Sequence, residues 1–227
     1  MKINLCFPGH TYSGNFVFGC LISFISDMFS KFGAENVEIL NNGASGLPAA
    51  REAISGYRDG TPLDEGNPPF VGKEYDYSLW IDSDMMFAFD DFQRLLDADK
   101  QIITGLYLSN TEHGFFAATK FAPEWIVNRA KGSLSPVTIP DIAGKTEPFE
   151  VATGSMGFCL IKRGVFEAIK RPYFAHTGYP IFGDGKSIFT SEDTGFFYRA
   201  GDAGIKTYVH PQVILGHEKR SIWVPST

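Results

Sequence analysis

The sequence predicts a single α/β domain built on a mixed, mainly parallel sheet flanked by helices. Three observations carry this expectation. The chain has 227 residues, enough for one large domain and short of two full ones. Hydrophobic residues make up 44% and aromatics 15%, with Phe at 21 positions, so the apolar material for a substantial core is present. Through the first half, strand-like runs alternate with helical ones, the pattern of parallel strands joined by helical crossovers.

Each element can be read in turn. Residues 2–7, KINLCF, form a buried first strand that stops at Pro8-Gly9. Ser13 is placed to cap a helix whose apolar residues run through Phe32, with Gly33 as its stop. NVEIL is a second strand, ending at Asn41-Asn42-Gly43, and GLPAAREAISGYR is a helix with Pro48 near its first turn. Residues 57–73, rich in Gly, Pro and Asp, read as a long surface loop. A third strand, Ser78-Leu79-Trp80-Ile81, runs into Asp82, followed by a short helix around DDFQRLLDA and the strand QIITGLYL.

The second half is less regular. FAATKF reads as a strand and 130–148 as a polar loop; GFCLIKR is a strand leading into the helix GVFEAIK. YPIFGDGKSIF has the look of a hairpin with an Asp-Gly turn. SEDTGFFYRAGDAG is a helix, and KTYVHPQVILGHE closes the pattern. There is no internal repeat.

Twenty basic residues against 26 acidic ones give a net charge of −6, with no basic run. That argues against tight nonspecific nucleic-acid binding, which needs clustered Lys and Arg, although a local patch can still serve an acidic protein on DNA. Three cysteines, Cys6, Cys20 and Cys159, with no CxxC pair, suggest neither a disulfide framework nor a zinc ribbon. The apolar part of MKINLCFPGH is too short for a signal peptide, and FVFGCLISFISDMF is broken by Ser23, Ser26 and Asp27, short of a membrane span. The expectation is a soluble, reduced, cytoplasmic protein.

The most informative stretch is YDYSLWIDSDMMF, where a buried strand ends abruptly in Asp82-Ser83-Asp84. Ligands of open α/β sheets bind at the carboxyl ends of the strands. Two carboxylates there, together with diphosphate oxygens, make a hard site suited to Mn²⁺ or Mg²⁺. Taken alone, the pair reads more simply as one Asp capping the next helix and one solvated.

Three further features stand with it: the Gly-rich turn Thr153-Gly154-Ser155-Met156-Gly157 before a buried strand, Glu192-Asp193 at a helix start, and His217 after Gly216. In this order and spacing the set resembles the GT-A class of nucleotide-sugar glycosyltransferases over almost the whole chain. The resemblance implies a Rossmann-like single domain, with about 1–108 binding the nucleotide and about 109–227 binding the acceptor and completing the metal site. It makes Asp84 the direct metal ligand, His217 the third metal contact, and Asp82 a contact to ribose or to a metal-bound water. Pro8, His10 and Thr11 would lie against base and ribose, and Ser83 would join them on the nucleotide. Arg51 matches an early helical Arg that approaches the nucleotide; the Asn that often follows it is Glu52 here. Asp193, with Glu192 beside it, resembles the general base of inverting members.

The resemblance also implies a UDP-sugar or similar donor, Mn²⁺ or Mg²⁺ as cofactor, and an acceptor hydroxyl on a glycan or small molecule. Small proteins of this look also resemble bacteriophage transferases, whose acceptors include hydroxymethylated DNA bases and whose setting would be the host cytoplasm. Plainer readings stand beside these. Glu192 and Asp193 also suit a helix dipole. His10 reads equally as a loop histidine, and His113, His176 and His210 as structural. Trp80, Met85 and Met86 read as core or pocket wall, and the two long loops as lids or plain surface.

Rival classes fare less well. Haloacid-dehalogenase-like phosphatases put a D-x-D on their first strand, with a nucleophilic first Asp and a small residue after the second; here the motif comes after two strand–helix units and precedes Met85-Met86. GDGKS at 183–187 lacks the earlier Gly of a P-loop, which is Pro180, and no GxGxxG comes after the first strand. A non-catalytic nucleotide-sugar binding module is the remaining alternative.

Overall fold

The computed structural model describes residues 1–9, 14–43, 46–57, 68–110, 114–121, 134–175, 178–180, 187–189 and 191–219. The chain runs β1 (Ile3–Pro8), α1 (Gly14–Phe32), β2 (Val37–Asn42), α2 (Leu47–Ile54), β3 (Tyr77–Ile81), β4 (Met85–Met86), α3 (Phe89–Asp97) and β5 (Ile102–Leu106). It continues with β6 (Leu108–Asn110), β7 (Phe115–Phe121), β8 (Leu134–Thr138), the one-turn α4 (Ile139–Ile142), β9 (Phe149–Val151), β10 (Phe158–Lys162) and the one-turn α5 (Val165–Ala168). The hairpin strands β11 (Gly178–Pro180) and β12 (Ser187–Phe189), α6 (Glu192–Asp202), β13 (Thr207–Ile214) and β14 (Gly216–His217) complete it.

Seven strands form the central sheet in the order β2-β1-β3-β10-β5-β13-β9. β1 is parallel to β2 and β3, and β13 is parallel to β5; β10 runs antiparallel between β3 and β5, and β9 antiparallel to β13. The inner strands β1, β3, β10 and β5 are buried on both faces, and the two-residue period sorts side chains into two cores. Leu5, Leu79, Ile81 and Phe158 pack with Phe24 of α1 and Phe92 of α3. Cys6, Trp80 and Cys159 point the other way, toward Ile54 of α2 and Phe196 of α6. The result is a helix–sheet–helix sandwich, as the alternation of apolar runs predicts.

Local signals explain several boundaries. α1 ends where Gly33 takes φ 83°, its N–H donating to Phe29 O at 3.0 Å. α2 starts with Pro in its first turn, where a missing N–H costs nothing. Ser13, the expected cap of α1, lies outside the described residues, as does the Asp-Gly turn of the β11–β12 hairpin.

Four expectations need correction. The stretch 57–73 is not all surface loop: Phe70 is buried, donates its N–H to Ser55 O at 2.9 Å, and sets its ring edge-to-face on Tyr75 at 4.6 Å. Gly56 makes that docking possible, since a Cβ there would stand 2.8 Å from Val71 N. The supposed polar loop 130–148 contains β8, which pairs with β7 and buries Val137 completely. QIITGLYL is two strands interrupted at Tyr107, and GVFEAIK gives a single helical turn because Ile169 is already extended (φ −103°, ψ 151°).

The carboxyl ends of β1, β3, β5 and β13 and the amino end of β10 share one edge of the sheet. Strand order reverses at β1, with β2 on one side and β3 on the other, and the crevice at such a switch point is where ligands bind.

Candidate functional site

Asp82 comes directly after β3, and its N–H donates to Gly157 O at 3.0 Å, so the sheet still fixes its backbone. The chain then turns through Ser83 and Asp84 into β4, which pairs antiparallel with β14, Met85 opposite His217 and Met86 opposite Gly216. This short ladder brings His217 to the Asp-Ser-Asp turn. Gly216 is required for it, because a Cβ would lie 2.9 Å from the Met86 Cβ. Glu218 N–H closes the loop by donating to Asp84 O at 2.8 Å.

The side chains meet accordingly. His217 Nε2 lies 3.0 Å from Asp84 Oδ2, and Lys219 Nζ donates to the same oxygen at 3.0 Å. His217 Nδ1 is 3.0 Å from Leu108 O, a carbonyl that can only accept, so Nδ1 carries a hydrogen. Nε2 either donates to Asp84 Oδ2 or, unprotonated, sets its lone pair beside that oxygen as one of two donors to a cation. One carboxylate oxygen and one imidazole nitrogen are donors that suit Mn²⁺. Among the described residues, no group of three or more metal-ligating side chains is gathered.

Asp82 is held differently. Arg51 of α2, 1% exposed, donates through Nη2 to Asp82 Oδ1 and through Nη1 to Glu192 Oε1, both at 2.8 Å. Burial works against the guanidinium charge, but the charges of Asp82, Asp193 and Glu192 outweigh it and hold the pKa above its ordinary value. One arginine thus ties the Asp-Ser-Asp turn to the start of α6. Asp193, the next residue there, accepts from Thr194 N–H at 2.7 Å and from the Ser191 hydroxyl, and stays half-buried.

Glu52, where the resemblance would put Asn, faces away from this edge. It accepts from Arg171 Nη1 at 3.0 Å and from Phe174 N–H, pinning the 171–174 segment to α2. Pro8 is buried at the end of β1, in register with Asn42. Beyond it Gly9 (φ 138°) comes close to Ser83, with 3.6 Å between an ideal Cβ position and Ser83 Oγ. His10 and Thr11 lie outside the described residues, as do His113 and His176; His210 is buried, and Trp80 and Met85 are core.

One residue of this edge, Tyr107, escaped the sequence reading. Tyr107 sets its ring edge-to-face on His217 at 4.6 Å and hydrogen-bonds through its hydroxyl to Ser155 Oγ. Burial, reinforced by the Asp82 charge, pushes the phenol pKa far up, so Tyr107 is held as the neutral phenol. The signal for it was the Gly-rich turn: Ser155 Oγ accepts from Gly157 N–H at 3.2 Å, and a Cβ on Gly157 would lie 2.7 Å from Tyr107 Cε1 and its hydroxyl oxygen. Gly157→Ala is therefore expected to cost about 1–3 kcal/mol through overpacking. The Tyr107–His217 ring contact should loosen with it, which a change in the His217 ring proton shifts would report.

No protein-family model matches the sequence, and no curated protein is significantly similar to it. Solved structures do share the architecture. A197 from STIV is 18% identical, with 100% of this chain and 99% of that chain covered at a TM-score of 0.51. GalNAc-T7, in a crystal structure with UDP, GalNAc and Mn²⁺, is 15% identical, with 96% of this chain and 44% of that chain covered at a TM-score of 0.54. The mixed seven-stranded sheet, its helical layers and this likeness together show that the chain has the GT-A fold.

Proposed function

We propose that the protein is a metal-dependent glycosyltransferase that moves a sugar from a nucleotide-diphosphate sugar, a UDP-sugar by preference, to an acceptor hydroxyl. The observation that carries this is the convergence at the switch-point edge of Asp84 with His217, and of Asp82 with Glu192 through Arg51. The presence of UDP and Mn²⁺ in the GalNAc-T7 structure, which shares the fold, supports the donor class.

In this reading Asp84 and His217 hold Mn²⁺, with Asp82 in reach of the ribose or of a water on the ion. A bound Mn²⁺ supplies positive charge to the departing diphosphate. Pro8 and Ser83 border the nucleoside, with His10 and Thr11 assigned beside them. Asp193 accepts the proton of the acceptor hydroxyl as its oxygen bonds to the anomeric carbon and the bond to the diphosphate oxygen breaks. Arg51 holds Asp82 and Glu192 in place across the crevice. With a net charge of −6, a glycan or small-molecule acceptor suits the chain better than a DNA backbone. A phosphatase reading would need Asp82 as nucleophile, but its Oδ1 is engaged by buried Arg51.

Thermal stability in the presence of UDP, GDP, ADP and CMP, each with and without Mn²⁺, tests the reading. A ligand at a hundredfold excess over its Kd adds about 2.7 kcal/mol to the folded state, which in a chain of this size raises Tm by roughly 5–10 °C. The expected result is a shift with UDP that needs Mn²⁺. No shift with any nucleotide, or turnover of an aryl phosphate, would overturn it.

A further inference from the structure

Helix α1 buries one row of side chains, Val17, Leu21, Phe24 and Met28, under the sheet. The neighbouring row is Phe18, Ile22, Ile25 and Phe29. Phe18 is 54% exposed, Ile22 53% and Phe29 37%, while Ile25 is half-buried. The next row, Gly19, Ser23, Ser26 and Ser30, is exposed and carries no large side chain. Asp27 and Lys31 are the charged residues of the helix.

The order of the apolar row is the telling feature. Phe-Ile-Ile-Phe, at steps of four, three and four, reads the same from either end. A two-fold axis across the helix midway between Ile22 and Ile25 sets Phe18 against Phe29 of a second copy, and Ile22 against Ile25. A contact that maps onto itself in this way is what an isologous pair requires. Steps of three and four make the seam of two packed helices, and the Gly/Ser row beside it lets the backbones approach.

The row supplies the apolar centre of such a contact. At the usual aromatic side-chain size, the exposed parts of Phe18, Ile22 and Phe29 amount to about 270 Å² of apolar surface. A standard interface buries about 800 Å² per partner, somewhat over half of it apolar. A patch of this size alone is within the range of ordinary monomers; its symmetry selects the partner. A membrane surface is disfavoured, because such helices carry many Lys and Arg, whereas α1 has Lys31 and the chain is acidic.

We propose that α1 is a self-association face on which two copies of the chain pair antiparallel along Phe18, Ile22, Ile25 and Phe29. Sedimentation equilibrium from about 1 to about 100 µM tests it. The mass should rise from 25.1 kDa toward twice that value. F18K and F29E, both at exposed positions, should each stay monomeric with wild-type Tm, and I22K should do the same. The double variant F18K/F29E should dimerise again, because the antiparallel register sets each new cation against a new anion. A parallel pairing would oppose like charges and leave the double variant monomeric. A mass of 25.1 kDa at about 100 µM, a folded double variant that fails to re-associate, or co-sedimentation of a monomer with anionic phospholipid vesicles would each overturn the proposal.

Discussion

Arg51→Met is expected to lower the unfolding free energy by about 3–5 kcal/mol, the usual cost of removing one partner from a buried ionic network. Arg51 is 1% exposed and stands between Asp82 and Glu192, with 2.8 Å to each. The methionine would fill part of the space but remove the guanidinium that bonds two largely buried carboxylates, Asp82 (21% exposed) and Glu192 (11%). For a chain of this length that corresponds to a fall in Tm of roughly 10 °C or more. Arg51→Lys should recover little, because a single Nζ cannot fill both places from which Nη1 and Nη2 reach Glu192 and Asp82. Urea titration measures the effect: the midpoint should move to lower denaturant with the slope unchanged. Glu192→Gln in the Arg51→Met background should restore part of the loss, since it removes one of the two like charges that the guanidinium had bridged. The control is Lys206→Met, which breaks an exposed pair with Glu150 and should leave the midpoint nearly unmoved. A midpoint loss for Arg51→Met no larger than that of the control would show that the network does not hold the edge together.

How legible each feature is in the sequence depends on how local it is. Asp82-Ser83-Asp84 stood out because a strand of Leu79, Trp80 and Ile81 has no local use for two acids, and burial of those residues in the sheet bears that out. The strands and the layer order were legible for the same reason: two-sided burial writes continuous apolar runs. β8 was not, because its five residues include Pro136 and depend on β7 for their pairing. Phe70 hid in a Gly- and Pro-rich stretch, and only its ring contacts with Tyr75 and Phe166, made once the chain has folded, turn it into core. Arg51 was recognisable as a residue of interest, but the bridge it forms joins α2, the end of β3 and α6, a juxtaposition no single segment encodes. Tyr107 was the hardest. Within QIITGLYL it looks like one more strand residue, and its place against His217 and Ser155 exists only once β5, β10 and β14 share an edge.

Asp84→Asn is expected to reduce Mn²⁺-dependent nucleotide-diphosphate binding by at least about a hundredfold, the order reached even when residues behind a metal ligand are changed. The substitution keeps size and shape but replaces an anionic oxygen donor with a neutral one. Its structural cost should be small. The Asp84 side chain is 29% exposed and pairs with His217 and with the exposed Lys219, contacts worth about 1 kcal/mol or less at such a surface. The backbone bond from Glu218 N–H to Asp84 O does not involve the side chain and should persist. Asp82→Asn offers the decisive contrast. It weakens one of the two charge-assisted bonds to buried Arg51, so it should lower stability and ligand binding together, whereas Asp84→Asn should lower binding alone. Calorimetric titration of UDP with and without Mn²⁺, beside the Tm of each ligand-free variant, separates the two effects. If Asp84→Asn keeps Mn²⁺-dependent binding within a small factor of wild type while Asp82→Asn loses it, the ion must sit on the Arg51 side of the turn and His217 has another role. If Asp84→Asn alone silences the metal response in a protein of normal Tm, the pair of Asp84 and His217 is the ion's seat, and the Asp82–Arg51–Glu192 bridge is the frame that carries it.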